Sequence, residues 1–379
     1  MIDAKRLLVL AALLASCDGC ETCRLATPAA GESAWGGPYR RIDAHAHISP
    51  AFSEEALAFY SRFGVELAVN VSGRYPGGGL EEAAAAANAS GGRIAFMCNI
   101  PWVAPVDHPQ FLPMALASLE RCQEAGGIAW KIHKVLGLGA VYLDGTLVPV
   151  DAAELDPIFE LAGELGMPVL IHSGDPQAFF EAATPDNERY EELQAHPRWS
   201  FHGPEFPSWE EVFAQFERRV ARHPEVTFIG AHFGNCPEEP RRVAAMLERY
   251  PNLYIDTAAR VPEIGRRDAD EMRALFVRFQ DRILFATDLG YGRDYFGRQR
   301  IVLGSSGEDP STEEDAVLFW RSTWRYFETR ERGIPSPTPI QGRWTINGLG
   351  LPPPVLRKLY RENAERILGL RLPDRPPRS

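Results

Sequence analysis

The chain has 379 residues, 45% hydrophobic and 24% charged, a globular balance that excludes wholesale disorder. Forty Lys and Arg face 51 Asp and Glu, a net charge of −11, which argues against general nucleic-acid binding because that requires a basic face. No apolar run approaches the ~20 residues of a membrane-spanning helix, so a polytopic membrane protein is excluded.

The amino terminus reads MIDAKRLLVLAALLASCDGCETC, with Lys5 and Arg6 ahead of nine apolar residues, Leu7 to Ala15. A charged start followed by ~7–15 apolar residues is the shape of a secretory signal. The tetrad Leu14-Ala15-Ser16-Cys17 resembles a bacterial lipobox, which implies removal of residues 1–16 and lipidation of Cys17. Such a protein sits in the cell envelope on the periplasmic side and touches the membrane only through its acyl chains. Cys17, Cys20 and Cys23 form a C-x2-C-x2-C run with no fourth ligand nearby, and read as a lipid site plus two tail thiols. Residues 17–40 have the Pro/Gly/Ala-rich composition of a tether. Cys98, Cys122 and Cys236 stand in apolar or helical contexts and read as packing residues.

From Arg41 onward, short apolar runs alternate with amphipathic stretches. The strand candidates are RIDAHAH, ELAVNVS, RIAFMCN, GIAWKIH, PVLIHSG, VTFIGAH, NLYIDTA and RILFATD, ending near residues 47, 72, 99, 133, 172, 232, 257 and 288. Helical stretches between them include Leu80–Ser90, Phe111–Glu124, Ala152–Leu165, Trp209–Arg222 and Glu239–Tyr250. Eight such alternations predict a parallel (β/α)8 TIM barrel over residues 41–371, with a short tail at 372–379. An open doubly wound sheet is the rival, but the first strand ends in histidines and not in a Gly-rich phosphate turn. Long loops follow strand 5 (Ser173–Ser208) and strand 8 (Leu289–Pro354), and both are candidate substrate lids.

Five polar residues fall at the carboxyl ends of apolar strands: His45 and His47 on the first, His172 on the fifth, His232 on the sixth and Asp288 on the eighth. Side chains at i and i+2 of a strand share a face, so His45 and His47 can both point at the barrel axis. Several imidazoles and a carboxylate gathered at one buried point are costly unless a cation pairs them.

The stretches DAHAHI, VLIHSGD, GAHFG and ATDLG resemble the strand-end motifs of the amidohydrolase superfamily. The closer likeness is to its amidohydrolase-related (type 2) branch, which includes aminocarboxymuconate-semialdehyde decarboxylase-like enzymes. The closing stretch NGLGLPPPVLRKLYRENAERILG resembles the end of that branch, so the likeness runs from about Arg41 to Leu370. The resemblance implies one divalent ion, zinc, held by His45, His47, His172 and Asp288, with His232 beside it to polarise a substrate or shuttle a proton. Some relatives hold two ions bridged by a carboxylated lysine on the fourth strand, where Lys131 falls, with His133 on the same face.

The activity expected is hydrolysis of a C–N or C–O bond in a small anionic amide, lactone or ester, with Asp288 and His232 as the proton carriers. A non-oxidative decarboxylase with the same metal site is the second expectation. A lipid-tethered metal- or solute-binding protein without catalysis is the third. Lys131, His133, Lys134, Arg189, His202 and Arg260 are the candidate substrate contacts. The sequence leaves a homo-oligomer open.

Overall fold

The computed structural model describes residues 38–293, 299–303 and 311–373. The expected signal segment, Cys17, Cys20, Cys23 and most of the tether and tail lie outside these residues.

Eight strand positions appear in the expected order: β1 (Arg41–Ile48), β2 (Val65–Arg74), β3 (Ile94–Cys98), β4 (Trp130–Ile132), β5 (Val169–Ile171), β6 (Phe228–Gly230), β7 (Leu253–Asp256) and β8 (Ile283–Leu284). Each runs parallel to the one before it. The expected final strand, RILFATD, is broken. Pairing with β7 stops at Leu284, and β9 (Leu289–Arg293) resumes parallel to β1. Between them Ala44 N–H donates to Phe285 O at 3.0 Å and Asp288 N–H to His45 O at 2.8 Å, which sews the last strand to the first. The ring is therefore closed as a (β/α)8 barrel, and β10 (Gln299–Val302) adds an antiparallel strand beyond β9.

Helices fill the gaps much as the periodicity predicts. Phe111–Glu124 and Trp209–Arg222 form with those bounds. The stretch expected from Ala152 opens instead with a tight turn, Ala153–Leu155, before the helix Asp156–Glu164 whose first turn holds Pro157. In the helix Trp209–Arg222 the buried face carries Trp209, Val212, Phe213, Phe216 and Val220, and the Ser208 hydroxyl caps it by accepting Glu211 N–H at 3.2 Å. That i, i+3, i+4, i+7 stripe packs on the outside of the strands, and the cap adds about 1 kcal/mol.

Two apolar layers result. The outer one lies between strands and helices and contains Trp130, Ile132, Phe228 and Phe285. The inner one fills the barrel with Leu67, Val69, Met97, Leu170, Ile229 and Leu284, joined by Leu368, Leu370 and Leu372 from the carboxyl-terminal segment. On β1 the inward face changes. Ile42 and Ala44 belong to the inner layer, whereas Ala46 and Ile48 belong to the outer one. The register of β1 against β2 shifts between Asp43 and Ala46, and past that irregularity His45 and His47 turn inward.

The long stretch after β8 is not a lid in its larger part. Its helix, Glu313–Glu328, buries Trp320, Trp324 and Phe327 against Phe63, Phe285 and Tyr360, and so supplies outer wall. The Ser173–Ser208 loop carries the turn Gln177–Phe180, the short helix Tyr190–Ala195 and the turn Pro197–Trp199.

Cys98 and Cys122 correct another expectation: they form a disulfide, Cα to Cα 5.7 Å, joining the end of β3 to the helix Phe111–Glu124. Gly127 lies against it, where a Cβ would collide with the Cys98 sulfur. Cys236 is a free, buried thiol, as expected. The bridge closes a loop of 24 residues, so Cys122→Ala is expected to lower unfolding free energy by about 3 kcal/mol. Denaturant titration with and without a thiol reductant checks this. The wild-type curve should move on reduction, and that of the variant should not.

Candidate metal centre

His45 and His47 follow the irregularity in β1, and a carboxylate holds that irregularity in place. Asp43 accepts the N–H groups of His45 at 3.1 Å and Thr287 at 3.0 Å, and bonds the Thr287 hydroxyl at 2.5 Å. One buried side chain therefore sets the backbone on both sides of the seam. Burial pushes its own pKa up to about 7, against the hydrogen bonds from Thr287 and His45.

Asp288 sits at the break in the eighth strand with φ +64°, a left-handed conformation uncommon outside glycine. That turn carries its carboxylate to the histidines of β1. Asp288 Oδ1 lies 3.3 Å from His45 Nε2 and 3.2 Å from His47 Nε2. One ligand atom from each of His45, His47 and Asp288 falls within 4.8 Å of the others.

The donor chemistry fits a divalent cation. Asp256 Oδ2 accepts from His45 Nδ1 at 2.7 Å, leaving His45 Nε2 as the lone-pair nitrogen. Burial, with the Lys131 charge, holds the His45 imidazole well below its ordinary pKa, so the ring is neutral. A neutral lone pair facing a carboxylate oxygen shares no proton, and a cation between them removes the conflict. On the second ligand, His47 Nδ1 meets the Ser72 hydroxyl at 3.2 Å, which leaves its Nε2 on the same point.

His232 closes the site from β6. It and Phe233 both adopt left-handed backbone, with φ +55° and +60°, at a cost of about 1–3 kcal/mol each. Asp256 Oδ1 accepts His232 N–H at 2.8 Å and Ala258 N–H at 3.1 Å, and this holds the turn. His232 Nδ1 is 3.0 Å from Ala258 O, and its Nε2 is 3.3 Å from His172 Nδ1. His172 Nε2 continues to Asp175 Oδ1 at 3.3 Å. His172 therefore reaches the cavity but does not join the three ligand atoms gathered by His45, His47 and Asp288. Among the described residues it is bonded to His232 and Asp175 instead.

A cavity of about 300 Å³ opens over these groups, walled by Phe179 and Trp199 and by Lys134, Asp175 and Arg260. Of the expected substrate contacts, Lys134 lines it but bonds Asp175 Oδ2 at 2.5 Å. Lys131 stands deeper, inside the barrel, with Nζ 3.4 Å from His45 Nε2, and burial pushes its pKa down to about 8. His133 packs on His47 with ring centroids 6.4 Å apart.

Two expectations are corrected. Arg189 is not a cavity residue; it is buried between Glu192, at 2.8 Å, and Glu263. His202 is exposed on the loop and bonds Phe180 O at 3.3 Å, in a separate hollow lined by Phe201, Phe206 and Trp209. Two functional residues escaped the sequence reading, Asp43 and Asp256. A sign was present for each: an aspartate inside DAHAH, and an aspartate closing NLYID at the same strand end as the ligands.

Several solved structures are similar to this chain. 2,6-Dihydroxybenzoate decarboxylase from Rhizobium has 16% identity and a TM-score of 0.48, with 88% of this chain and 99% of that one covered. A dihydroxybenzoic acid decarboxylase from Polaromonas, with bound manganese and 2-nitroresorcinol, has 14% identity and a TM-score of 0.49, covering 87% and 97%. 4-Oxalomesaconate hydratase from Rhodopseudomonas palustris has 15% identity and a TM-score of 0.48, covering 87% and 95%. Comparison with the curated proteins gives no match. The model of the amidohydrolase family Amidohydro_2 matches residues 42–370, nearly the whole of the described barrel, and the chain belongs to that family.

Proposed function

We propose that the protein is a metal-dependent hydrolase that opens a C–N or C–O bond of a small amide, lactone or ester. The observation that carries this reading is the convergence of His45 Nε2, His47 Nε2 and Asp288 Oδ1 at the mouth of the barrel, with His232 beside them. A bound divalent cation, zinc by the resemblance, would supply Lewis acidity and lower the pKa of water from 15.7 to about 7.

The chain's own groups handle the protons. Burial pushes the Asp288 carboxyl up, but the His47 hydrogen bond and the neighbouring imidazoles outweigh it and keep the group ionised. It takes the proton of the attacking water and returns it to the leaving group. His232 and His172 lie within 3.3 Å and can share a proton between them. Burial, with His172 and Arg260 beside it, holds the His232 imidazole well below its ordinary pKa, so it enters the reaction neutral. On taking up a proton it can donate to the oxyanion that develops on the substrate, a contribution of about 3–4 kcal/mol in well-studied hydrolases.

A carboxy-lyase on the same site is the second reading. It is favoured by Arg260, whose guanidinium lines the cavity and can grip a carboxylate. Small panels of lactones, amides, esters and aromatic acids, followed by acid release and by CO₂, separate the two. Acid without CO₂ is the expected result. CO₂ without hydrolysis products would select the lyase, and metal or solute binding without any turnover would defeat both.

The full chain is expected to hold one divalent ion, and stripping it with a chelator should abolish turnover that added zinc or manganese restores. A second ion per chain would bring Lys131 in as a bridging carbamate. We also place the protein at the cell envelope, tethered through lipid on Cys17. The charged and apolar start of the chain supports this, as does the Cys98–Cys122 disulfide, which persists in an oxidising compartment. Labelled fatty acid incorporated by wild type and not by Cys17→Ser tests it.

A further inference from the structure

Arg260 follows β7 and lines the cavity together with His47, His172, His232 and Asp288. Its placement is built and not incidental. Ala259 before it stands at φ +54°, and Ala259 N–H donates to Thr287 O at 3.2 Å, tying the turn to the eighth strand. A guanidinium has five N–H donors. Here Nη1 bonds Ala259 O at 3.1 Å, Nε has no partner among the described residues, and the side chain is only 3% exposed. Donors left unmet in a nearly dry wall are costly, and oxygens brought by a ligand would meet them. Lys134, the other cation on this wall, is engaged by Asp175 at 2.5 Å and does not compete for such a ligand.

The nearest carboxylate to Arg260 is Glu263, and it stays 3.9 Å away. The reason is Arg189. Its Nη2 bonds the same Glu263 oxygen, while its Nη1 bonds Glu192 at 2.8 Å, all three side chains being wholly buried. One Glu263 oxygen, Oε1, is thus held from behind by the Ser173–Ser208 loop, and it steadies Arg260 without closing over it. The planar fork of arginine suits a carboxylate held by two parallel bonds. Phe179 and Trp199, stacked with centroids 6.2 Å apart, offer an apolar face on the same cavity for the body of such a ligand.

We infer that Arg260 is the carboxylate anchor of this site, selecting substrates that carry a carboxylate near the bond to be broken. Glu263 and Arg189 are positioning residues that aim it. The inference rests on the proposed reaction taking place in this cavity.

The test is calorimetric titration of the full chain, stripped of metal by a chelator, with benzoate and benzamide as paired probes. Benzoate should bind roughly tenfold more tightly than benzamide. Arg260→Gln should bring benzoate down to the level of benzamide, and Arg260→Lys should recover only part of the difference. In turnover, Arg189→Lys and Glu263→Gln should raise KM for carboxylate substrates several-fold with kcat nearly unchanged, because they displace an anchor and not a proton carrier. A purely structural role would lower the active fraction, and hence kcat, at constant KM.

Equal affinity of wild type and Arg260→Gln for benzoate, or no preference for benzoate over benzamide in wild type, overturns the proposal. Metal content measured in the same preparations before stripping, and again after zinc or manganese is added back, keeps the two readings apart. A chain that prefers benzoate but holds no cation supports the anchor and defeats the hydrolase.

Discussion

Asp288→Asn is expected to leave the fold intact while kcat falls by roughly 10³-fold and most of the bound cation is lost. The backbone at 288 is left-handed, a conformation that asparagine tolerates about as well as aspartate. The main-chain bond from residue 288 to His45 O, which closes the ring, does not involve the side chain. What changes is the charge. His45 Nε2 and His47 Nε2, now 3.3 and 3.2 Å from a carboxylate oxygen, would face a neutral amide that neither binds a cation well nor accepts the proton of water. Circular dichroism should match wild type and the melting temperature should match wild type stripped of metal, while metal content and kcat should both fall. Turnover unchanged in this variant would sink the scheme.

Asp256→Asn is expected to weaken cation binding by about 10–100-fold without touching a ligand. Aspartate 256 accepts three N–H groups: the His45 ring, and the main chains of His232 and Ala258. An asparagine oxygen can keep the two main-chain bonds. Its amide nitrogen would then face His45 Nδ1 as a donor, driving the ring to the tautomer with the proton on Nε2, where a lone pair is required. Chelator competition measures the loss. An unchanged affinity would mean that His45 is not a ligand.

The barrel is legible in the sequence because its strands are buried on both faces and read as continuous apolar runs between amphipathic helices. The ligands are legible because polar residues closing such runs have few other reasons to be there. Asp43 and Asp256 stay hidden for the complementary reason: besides a main-chain N–H two residues on, each holds the N–H of a residue far away in sequence, Thr287 and His232, and nothing in the local string shows those distant partners. Arg189 misleads in the same way. A cation on a long loop suggests substrate, and only the fold reveals that Glu192 and Glu263 enclose it. The pairing of Cys98 with Cys122 needs the end of a strand and the end of the next helix to come within 5.7 Å, which neither apolar context announces. The split of the eighth strand is likewise invisible in RILFATD, since the left-handed turn falls on an aspartate and not on a glycine.

That split strand has a consequence for stability. The residue that completes the ligand set is also the residue at which the cylinder is stitched shut, so an ion held there works as a rivet. Any binding energy specific to the intact protein adds to its resistance to unfolding, about 4 kcal/mol when free metal exceeds Kd a thousandfold. Chelation should therefore depress the melting temperature as well as the chemistry. Heat should open the molecule first along the join between its first and last strands.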